Sequence, residues 1–331
     1  MNSISKTSKI YIAGHRGLIG SALARNLTKR GYANVIGRTR QELDLLDPQQ
    51  TKDFLAAERP EAVIVAAALV GGIHANNTYR SEFIWQNLQI QNNLIWTAHE
   101  LGIPNLIFLG SSCIYPRQAP QPMKEECLLT GPLEYTNRPY AIAKIAGMEL
   151  VNCIRQQFKR NYFSVMPTNL YGPGDNFHPE NSHVMPALIR RFVEAHNDSA
   201  PEVAIWGSGT PQREFLHVED CADAICYLLE TIQLGSLETL PAAKDGWFHI
   251  NVGSGVEVSI ADLARTVSDA VGYKGQLTFD RTKPDGTPRK LMDNSALKAF
   301  GWNPKISLRE GVEATVRWYI ESLRTKSNLR N

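Results

Sequence analysis

Tyr140-Ala141-Ile142-Ala143-Lys144 sets a phenol and an ammonium four residues apart, on one face of a helix. A neighbouring Lys⁺ favours the phenolate. The spacing therefore predicts a Tyr140 pKa drawn down from its reference of about 10, in a group able to trade protons near neutrality. Upstream, Gly110-Ser111-Ser112-Cys113 closes an apolar run. Ligands of parallel sheets sit beyond the carboxyl ends of the strands, so Ser111, Tyr140 and Lys144 can converge on one carbonyl oxygen. Cys113 reads either as a small buried hydrophobe or as a catalyst, and its position leaves both open. As a base it needs a pKa lowered from about 8.5. His183, in Asn181-Ser182-His183, reads on spacing alone as a structural or solvated loop residue.

A second constellation is Gly14-His15-Arg16-Gly17-Leu18-Ile19-Gly20, between an apolar run and a helical one. Glycines there permit a tight turn, close approach of backbone to a pyrophosphate, and close helix–strand packing. The helix N-terminus adds free N–H groups and a positive dipole end. After the next strand, where an acidic residue would hold the ribose of NAD, the chain reads Gly37-Arg38-Thr39-Arg40. Guanidinium groups suit a 2′-phosphate, so Arg38 and Arg40, with Arg16, favour NADP over NAD.

The elements that must position these residues alternate. Apolar runs at Lys9–Ala13, Asn34–Ile36, Ala62–Ala68, Leu106–Gly110 and Phe163–Met166 read as strands. Helical spacing covers Leu18–Arg30, Pro48–Glu58, Phe83–Leu101 and Tyr140–Arg160. Strands that are continuously apolar are buried on both faces, which predicts an α/β fold with a doubly wound parallel sheet of Rossmann type. After Tyr171 the texture turns to Gly, Pro, Asn and His, and a smaller, loop-rich α/β substrate domain is expected over residues 171–331. There, Pro186–His196, Val218–Thr231 and Ser259–Val271 read as helices and Val203–Trp206 as a strand. A strand at Phe248–Val252 is expected to return to the first domain, residues 1–170.

Composition excludes several classes. The formal net charge of +2 is too small for nucleic acid or an anionic membrane to be the main partner. The longest apolar run, Ala62–Val70, is far short of the roughly 20 residues that span a bilayer. The polar N-terminus and the short apolar stretch behind it do not read as a signal peptide, so a cytoplasmic protein is expected. Five cysteines without a Cys-x-x-Cys pair, and eight histidines without a His-Glu-x-x-His, predict neither disulfide framework nor metal site.

Together, the glycine pattern, the serine and Tyr-x-x-x-Lys resemble the extended short-chain dehydrogenase/reductase family. Longer stretches resemble its GDP-L-fucose synthase branch. They include Val70-Gly71-Gly72-Ile73, Asn76-Asn77-Thr78-Tyr79, Ser111-Ser112-Cys113-Ile114-Tyr115-Pro116, Met166-Pro167-Thr168-Asn169-Leu170-Tyr171-Gly172-Pro173, Gly207-Ser208-Gly209-Thr210-Pro211 and Lys283-Pro284-Asp285-Gly286-Thr287-Pro288-Arg289-Lys290. The resemblance implies a homodimeric, NADPH-using enzyme that 3,5-epimerises a GDP-4-keto-6-deoxy-D-mannose and then reduces its C4 ketone. It implies a reductase set of Ser111, Tyr140 and Lys144, with Cys113 and His183 as epimerisation base and acid. Cofactor contacts are implied at Gly14, His15, Arg16, Gly17, Leu18, Ile19 and Gly20, and at Arg40, Gln41, Glu42, Leu43, Asp44 and Leu45. Further ones fall at Leu109, Gly110, Ser111, Ser112, Lys144, Pro167, Thr168, Asn169, Leu170 and His183. Substrate contacts are implied at Arg191, Trp206, Arg213 and Asp285. Related 4,6-dehydratases carry an acidic pair beside the serine, where this chain has Ser112-Cys113. Leu234–Gly246 carries no motif.

Overall fold

A computed structural model describes residues 4–179, 181–283 and 285–328. Pro284 of the Lys283–Lys290 stretch thus lies outside the described residues. Six parallel strands form the main sheet: β1 (Ile10–Ala13), β2 (Val35–Ile36), β3 (Ala62–Val65), β4 (Asn105–Leu109), β5 (Asn161–Pro167) and β9 (His249–Val252), in the order β2-β1-β3-β4-β5-β9. Every residue of β1, β3, β4 and β9 is buried, the signature of a sheet covered on both faces. The strand order reverses between β1 and β3, which opens a ligand crevice at their carboxyl ends.

The covering helices are amphipathic and capped by local chemistry. α1 (Leu18–Lys29) buries Ala22, Leu23 and Leu27. α2 (Pro48–Glu58) starts where the Asp47 carboxylate accepts from the N–H groups of Gln49 and Gln50, with Pro48 in the first turn. It stops at Arg59 in the left-handed region, φ 47°. A short α3 (Ile73–Thr78) runs into α4 (Arg80–Glu100), which packs along α5 (Arg138–Phe158). Ile10, Ile12, Ile64 and Ile107 are fully buried on one face of the sheet and Val63, Val65, Leu106 and Phe108 on the other. Each such side chain contributes roughly 1.5–3 kcal/mol of burial.

The apolar run Ala62–Ala68 is not all strand. It leaves the sheet after Val65: Ala66 N–H makes the last ladder bond, to the Ala13 carbonyl (3.0 Å), and Ala66–Ala67 then lie directly against Gly14.

The remaining elements build a smaller lobe. β6 (Asn169–Tyr171), α6 (Val184–Asn197), β7 (Glu202–Trp206), β8 (Gln212–His217) and α7 (Val218–Thr231) precede β9. β10 (Glu257–Ser259), α8 (Ile260–Val271), β11 (Gln276–Asp280), β12 (Arg289–Lys290), α9 (Ser295–Ala299) and α10 (Leu308–Asn328) follow it. β8 is the hub, pairing β6, β10 and β12, while β11 pairs β7. α6, α8 and α10 enclose a third core around Ile189, Phe192, Val267 and Val312. The motif-free segment Leu234–Gly246 forms two 3₁₀ turns, Leu237–Thr239 and Pro241–Asp245, that bury Leu237 and Ala242. Glu238 there holds the fully buried Arg155 of α5 at 2.9 Å.

Candidate active site

β4 ends at Leu109 and the chain must turn sharply over β5. Gly110 makes this possible, since a Cβ there would lie 2.2 Å from the Met166 sulfur. Ser111 follows in extended conformation, and its Oγ accepts from the Cys113 N–H (3.4 Å), starting the 3₁₀ turn Ser112–Ile114. The turn is anchored from below. The Tyr115 hydroxyl donates to Asn251 Oδ1 (2.6 Å) and meets His249 Nε2 at 3.1 Å, which assigns the Nε2–H tautomer to His249. Asn251 N–H donates to the buried Glu125 carboxyl (3.0 Å), and its side-chain amide donates to the Met123 and Asp293 carbonyls.

α5 brings Tyr140 and Lys144 over this turn, one helical turn apart. Lys144 is buried, and its Nζ donates to the Leu109 carbonyl (2.8 Å), 4.7 Å from the Phe108 ring centre and 5.7 Å from that of Tyr140. Phe83 meets Tyr140 edge-on at 6.3 Å. Ser111, Cys113, Tyr140 and Lys144 thus share one small volume at the end of β4.

Its electrostatics differ from the sequence expectation. Burial pushes the Tyr140 phenol well above its ordinary value, and the Cys113 thiol raises it further. Burial also lowers Lys144 to about 8. Cys113 is pushed up as well, chiefly by burial, against the opposing ammonium of Lys290, the Ser111 hydroxyl and the ammonium of Lys144. The expected lowering of Tyr140 and Cys113 is therefore absent: loss of water outweighs the lysines. Lys290 is the group that sequence reasoning missed. It stands in β12 opposite Arg213 of β8, and nothing in the spacing of Lys283–Lys290 marks it.

Beyond β1, Gly14 turns with φ +86° and packs on the Ala67 backbone. A Cβ on Gly20 would lie 2.0 Å from the Gly14 carbonyl oxygen, so only glycine lets α1 come this close to β1. Gly17 caps α1 with no side chain across its first N–H groups, leaving them for an anion. His15 Nδ1 is buried without a partner among the described residues. These features fit a dinucleotide pyrophosphate. Arg16 and Arg40 are exposed, whereas Arg38 is not available: its guanidinium binds Glu58 (2.8 Å) and the Gly37 carbonyl (2.9 Å), against the Phe54 ring. Arg38 is therefore withdrawn from the 2′-phosphate role that its position suggested. Gln41 and Glu42 are exposed and Leu43 is buried, while Leu45 and Asp44 line the strand-to-helix connection. On β5 and β6, Thr168 N–H reaches the Val252 carbonyl (3.0 Å) and the Asn169 amide reaches that of Glu214 (2.8 Å), fixing Pro167–Leu170 across the sheet end.

Residues 10–240 match the family model described as the NAD dependent epimerase/dehydratase family. The chain is 55% identical over 320 residues to the putative GDP-L-fucose synthase 2 of Arabidopsis thaliana, covering 97% of this chain and 94% of that one. It is 54% identical over 315 residues to the GDP-L-fucose synthase of Escherichia coli K12, covering 95% and 97%. The crystal structure of a GDP-D-glycero-L-gluco-heptose synthase from Campylobacter jejuni in the presence of NADPH superposes with a TM-score of 0.89 at 36% identity, covering 96% and 99%.

The chain belongs to the NAD dependent epimerase/dehydratase family, among the GDP-L-fucose synthases.

In this GDP-L-fucose synthase family member, the other expected residues lie in the smaller lobe. His183 caps α6 and is exposed; partial withdrawal of its ring from water holds its pKa below the usual value. Arg191, one face along α6, donates to the Ala204 carbonyl of β7. Arg213 donates to the Gln212 carbonyl (2.7 Å) and lies against Gly286. Trp206 is 69% exposed, with Lys283 5.7 Å from its ring centre. Asp285 is engaged already: its carboxylate accepts from Ser208 N–H (2.9 Å) and Oγ (2.7 Å), which lowers its pKa and braces the turn after Trp206. A second residue the sequence did not disclose is Glu214, whose buried carboxylate accepts from Gly255 N–H (2.6 Å) and Met292 N–H (3.0 Å) and so ties β8 to the strand carrying Lys290.

Proposed function

We propose that this protein converts GDP-4-keto-6-deoxy-D-mannose to GDP-L-fucose, by 3,5-epimerisation through enolates followed by NADPH-dependent reduction of the C4 ketone. The observation that carries this reading is an ionisable thiol, Cys113, set among Ser111, Tyr140 and the ammonium groups of Lys144 and Lys290. A simple ketone reductase needs no such thiol. The likeness to GDP-L-fucose synthases over nearly the whole chain supports the same substrate.

The C4 keto group acidifies the protons on C3 and C5. Cys113 removes each in turn, and the Ser111 and Tyr140 hydroxyls hold the enolate oxygen that develops. The raised pKa of Cys113 in the free cleft means that Lys290 and Lys144 must help the thiolate form. His183 returns a proton on the opposite face and so inverts the centre. NADPH, when bound, supplies the hydride for C4. Tyr140 then gives its proton to O4, and Lys144 holds the phenol and the nicotinamide ribose in place. Gly14–Gly20 and the α1 N-terminus hold the pyrophosphate, Arg40 and Arg16 the 2′-phosphate. Arg191, Trp206 and Arg213 receive the GDP-sugar, and Asp285 supports them by fixing the Trp206 turn.

Residues 1–170 with β9 serve the cofactor and most of residues 171–331 the sugar nucleotide. The enzyme is a cytoplasmic homodimer that binds neither nucleic acid nor membrane. No helix among the described residues is long and apolar enough to cross a membrane. Trp85 and Trp96 of α4 and Ile142 and Phe158 of α5 are 42–57% exposed, an apolar surface suited to a second copy. Sedimentation of the wild type against Trp85→Glu tests this, since a wild-type monomer at micromolar concentration would end the dimer reading.

The decisive test of the activity is incubation of the pure protein with NADPH and GDP-4-keto-6-deoxymannose in D₂O. GDP-L-fucose carrying deuterium at C3 and C5 is expected. A reduced sugar without it refutes the epimerase half.

A further inference from the structure

We propose that Asn76 is a positioning residue for His183, acting across the cleft through Gly72. Asn76 belongs to α3 and is 6% exposed. Its amide donates to two successive carbonyls, Gly71 (2.7 Å) and Gly72 (3.1 Å). Only a primary amide offers two N–H groups from one nitrogen on so short a stem, whereas an aspartate would set charge against both carbonyls. Its Oδ1 is buried with no partner among the described residues. Leaving that atom unsatisfied costs about 1–3 kcal/mol, so the amide is present for its donors despite this cost.

The loop so clamped reaches the smaller lobe. Gly72 N–H donates to the Asn181 carbonyl (3.2 Å), two residues before His183. A Cβ on Gly72 would lie 2.7 Å from the Ser182 carbonyl oxygen, although its φ of −65° would suit any residue. Glycine is required there for close approach and not for backbone freedom. The stretch from Gly172 to Ser182 has no helix or strand among its described residues, and α6 begins straight after His183. The chain Asn76–Gly72–Asn181 therefore joins the cofactor side of the cleft to the loop that delivers His183. Rotation of α6 away from the cleft is opposed by this tie at Asn181, three residues before the helix begins.

This inference rests on the reading of His183 as the acid of epimerisation, and the test separates the two. Inverting exchange, in which C3 or C5 takes up solvent deuterium and changes configuration, is measured on GDP-4-keto-6-deoxymannose without NADPH. Reduction is measured in single turnovers on the epimerised 4-keto sugar. Asn76→Ala and Gly72→Ala should each slow exchange about 10- to 100-fold, as displacement of a catalytic group by roughly an ångström does, with reduction changed less than about threefold. In a His183→Gln background Asn76→Ala should slow exchange no further. Equal loss in both half-reactions, or a loss that adds fully to His183→Gln, overturns the proposal. If His183→Gln is defective while Asn76→Ala and Gly72→Ala exchange normally, this inference alone fails. Normal inverting exchange by His183→Gln removes the acid role and the inference with it.

Discussion

The Lys144 ammonium donates to the Leu109 carbonyl at 2.8 Å, and its Nζ stands 5.7 Å from the centre of the Tyr140 ring. In the free cleft the lysine is tied to the end of β4, and the phenol keeps its proton. Tyr140 thus enters the reaction as an acid. Tyr140→Phe should cut NADPH oxidation by at least about 100-fold while exchange at C3 and C5 survives in part. Unimpaired reduction in stopped-flow absorbance would rule out the acid role.

Cys113 should be indispensable to the exchange half-reaction and dispensable for hydride transfer. Cys113→Ala is expected to take up no deuterium at C3 or C5, as read by mass spectrometry. Because burial raises the thiol, exchange by the wild type should climb as pH rises above neutrality. Removing the Lys290 charge with Lys290→Met should shift that climb upward by about one pH unit, a tenfold loss at pH 7. An unmoved profile would detach Lys290 from the thiol.

Arg38 and Arg40 stand two residues apart and should behave differently. Arg40→Ala should raise the KM for NADPH about tenfold and leave that for NADH nearly unchanged. Arg38→Ala should leave the cofactor preference as it is and cost about 0.2–1 kcal/mol of stability, because it loses the half-exposed pair with Glu58. Equal KM changes for both cofactors in Arg40→Ala would contradict the 2′-phosphate assignment.

Glu125, buried beneath the Cys113 turn, is raised from 4.5 to about 7, mainly by burial. A carboxyl raised on folding holds its proton longer in the native state. Its contribution is full below pH 4.5 and disappears as pH rises through about 7. Glu125→Gln keeps the acceptor for Asn251 and removes the titration. The variant should match the wild type near pH 4.5 and exceed it by about 3 kcal/mol or less at pH 8 in urea unfolding. Parallel stability curves for the two proteins would show that Glu125 does not titrate there.

The parts of the fold legible in the residues were those with a repeating pattern. β1 and β3 are continuous apolar runs, β4 and β5 are apolar but for Asn105, Asn161 and Ser164, and α1, α4 and α5 repeat at helical spacing, so the sheet and its helices could be placed. β6, β10 and β12 are two or three residues long and carry no period. They form because β8 offers edges to them, which is a tertiary fact. The same limit applies to the site. Ser111, Tyr140 and Lys144 could be joined because they end one strand and open one helix. The Glu58 that occupies Arg38 and the Lys290 that faces Cys113 come from distant segments. The raised pKa values of Tyr140 and Cys113 depend on how little water reaches them, which spacing cannot express.

The place of β9 has a consequence for synthesis. Until α6, β7, β8 and α7 have left the ribosome, the strand that pairs with β5 does not exist, and β5 presents a bare row of N–H and C=O groups. A nascent or truncated chain ending near residue 170 is therefore expected to be sticky, prone to pairing with its own kind through that open border. Arrival of His249–Val252 seals it.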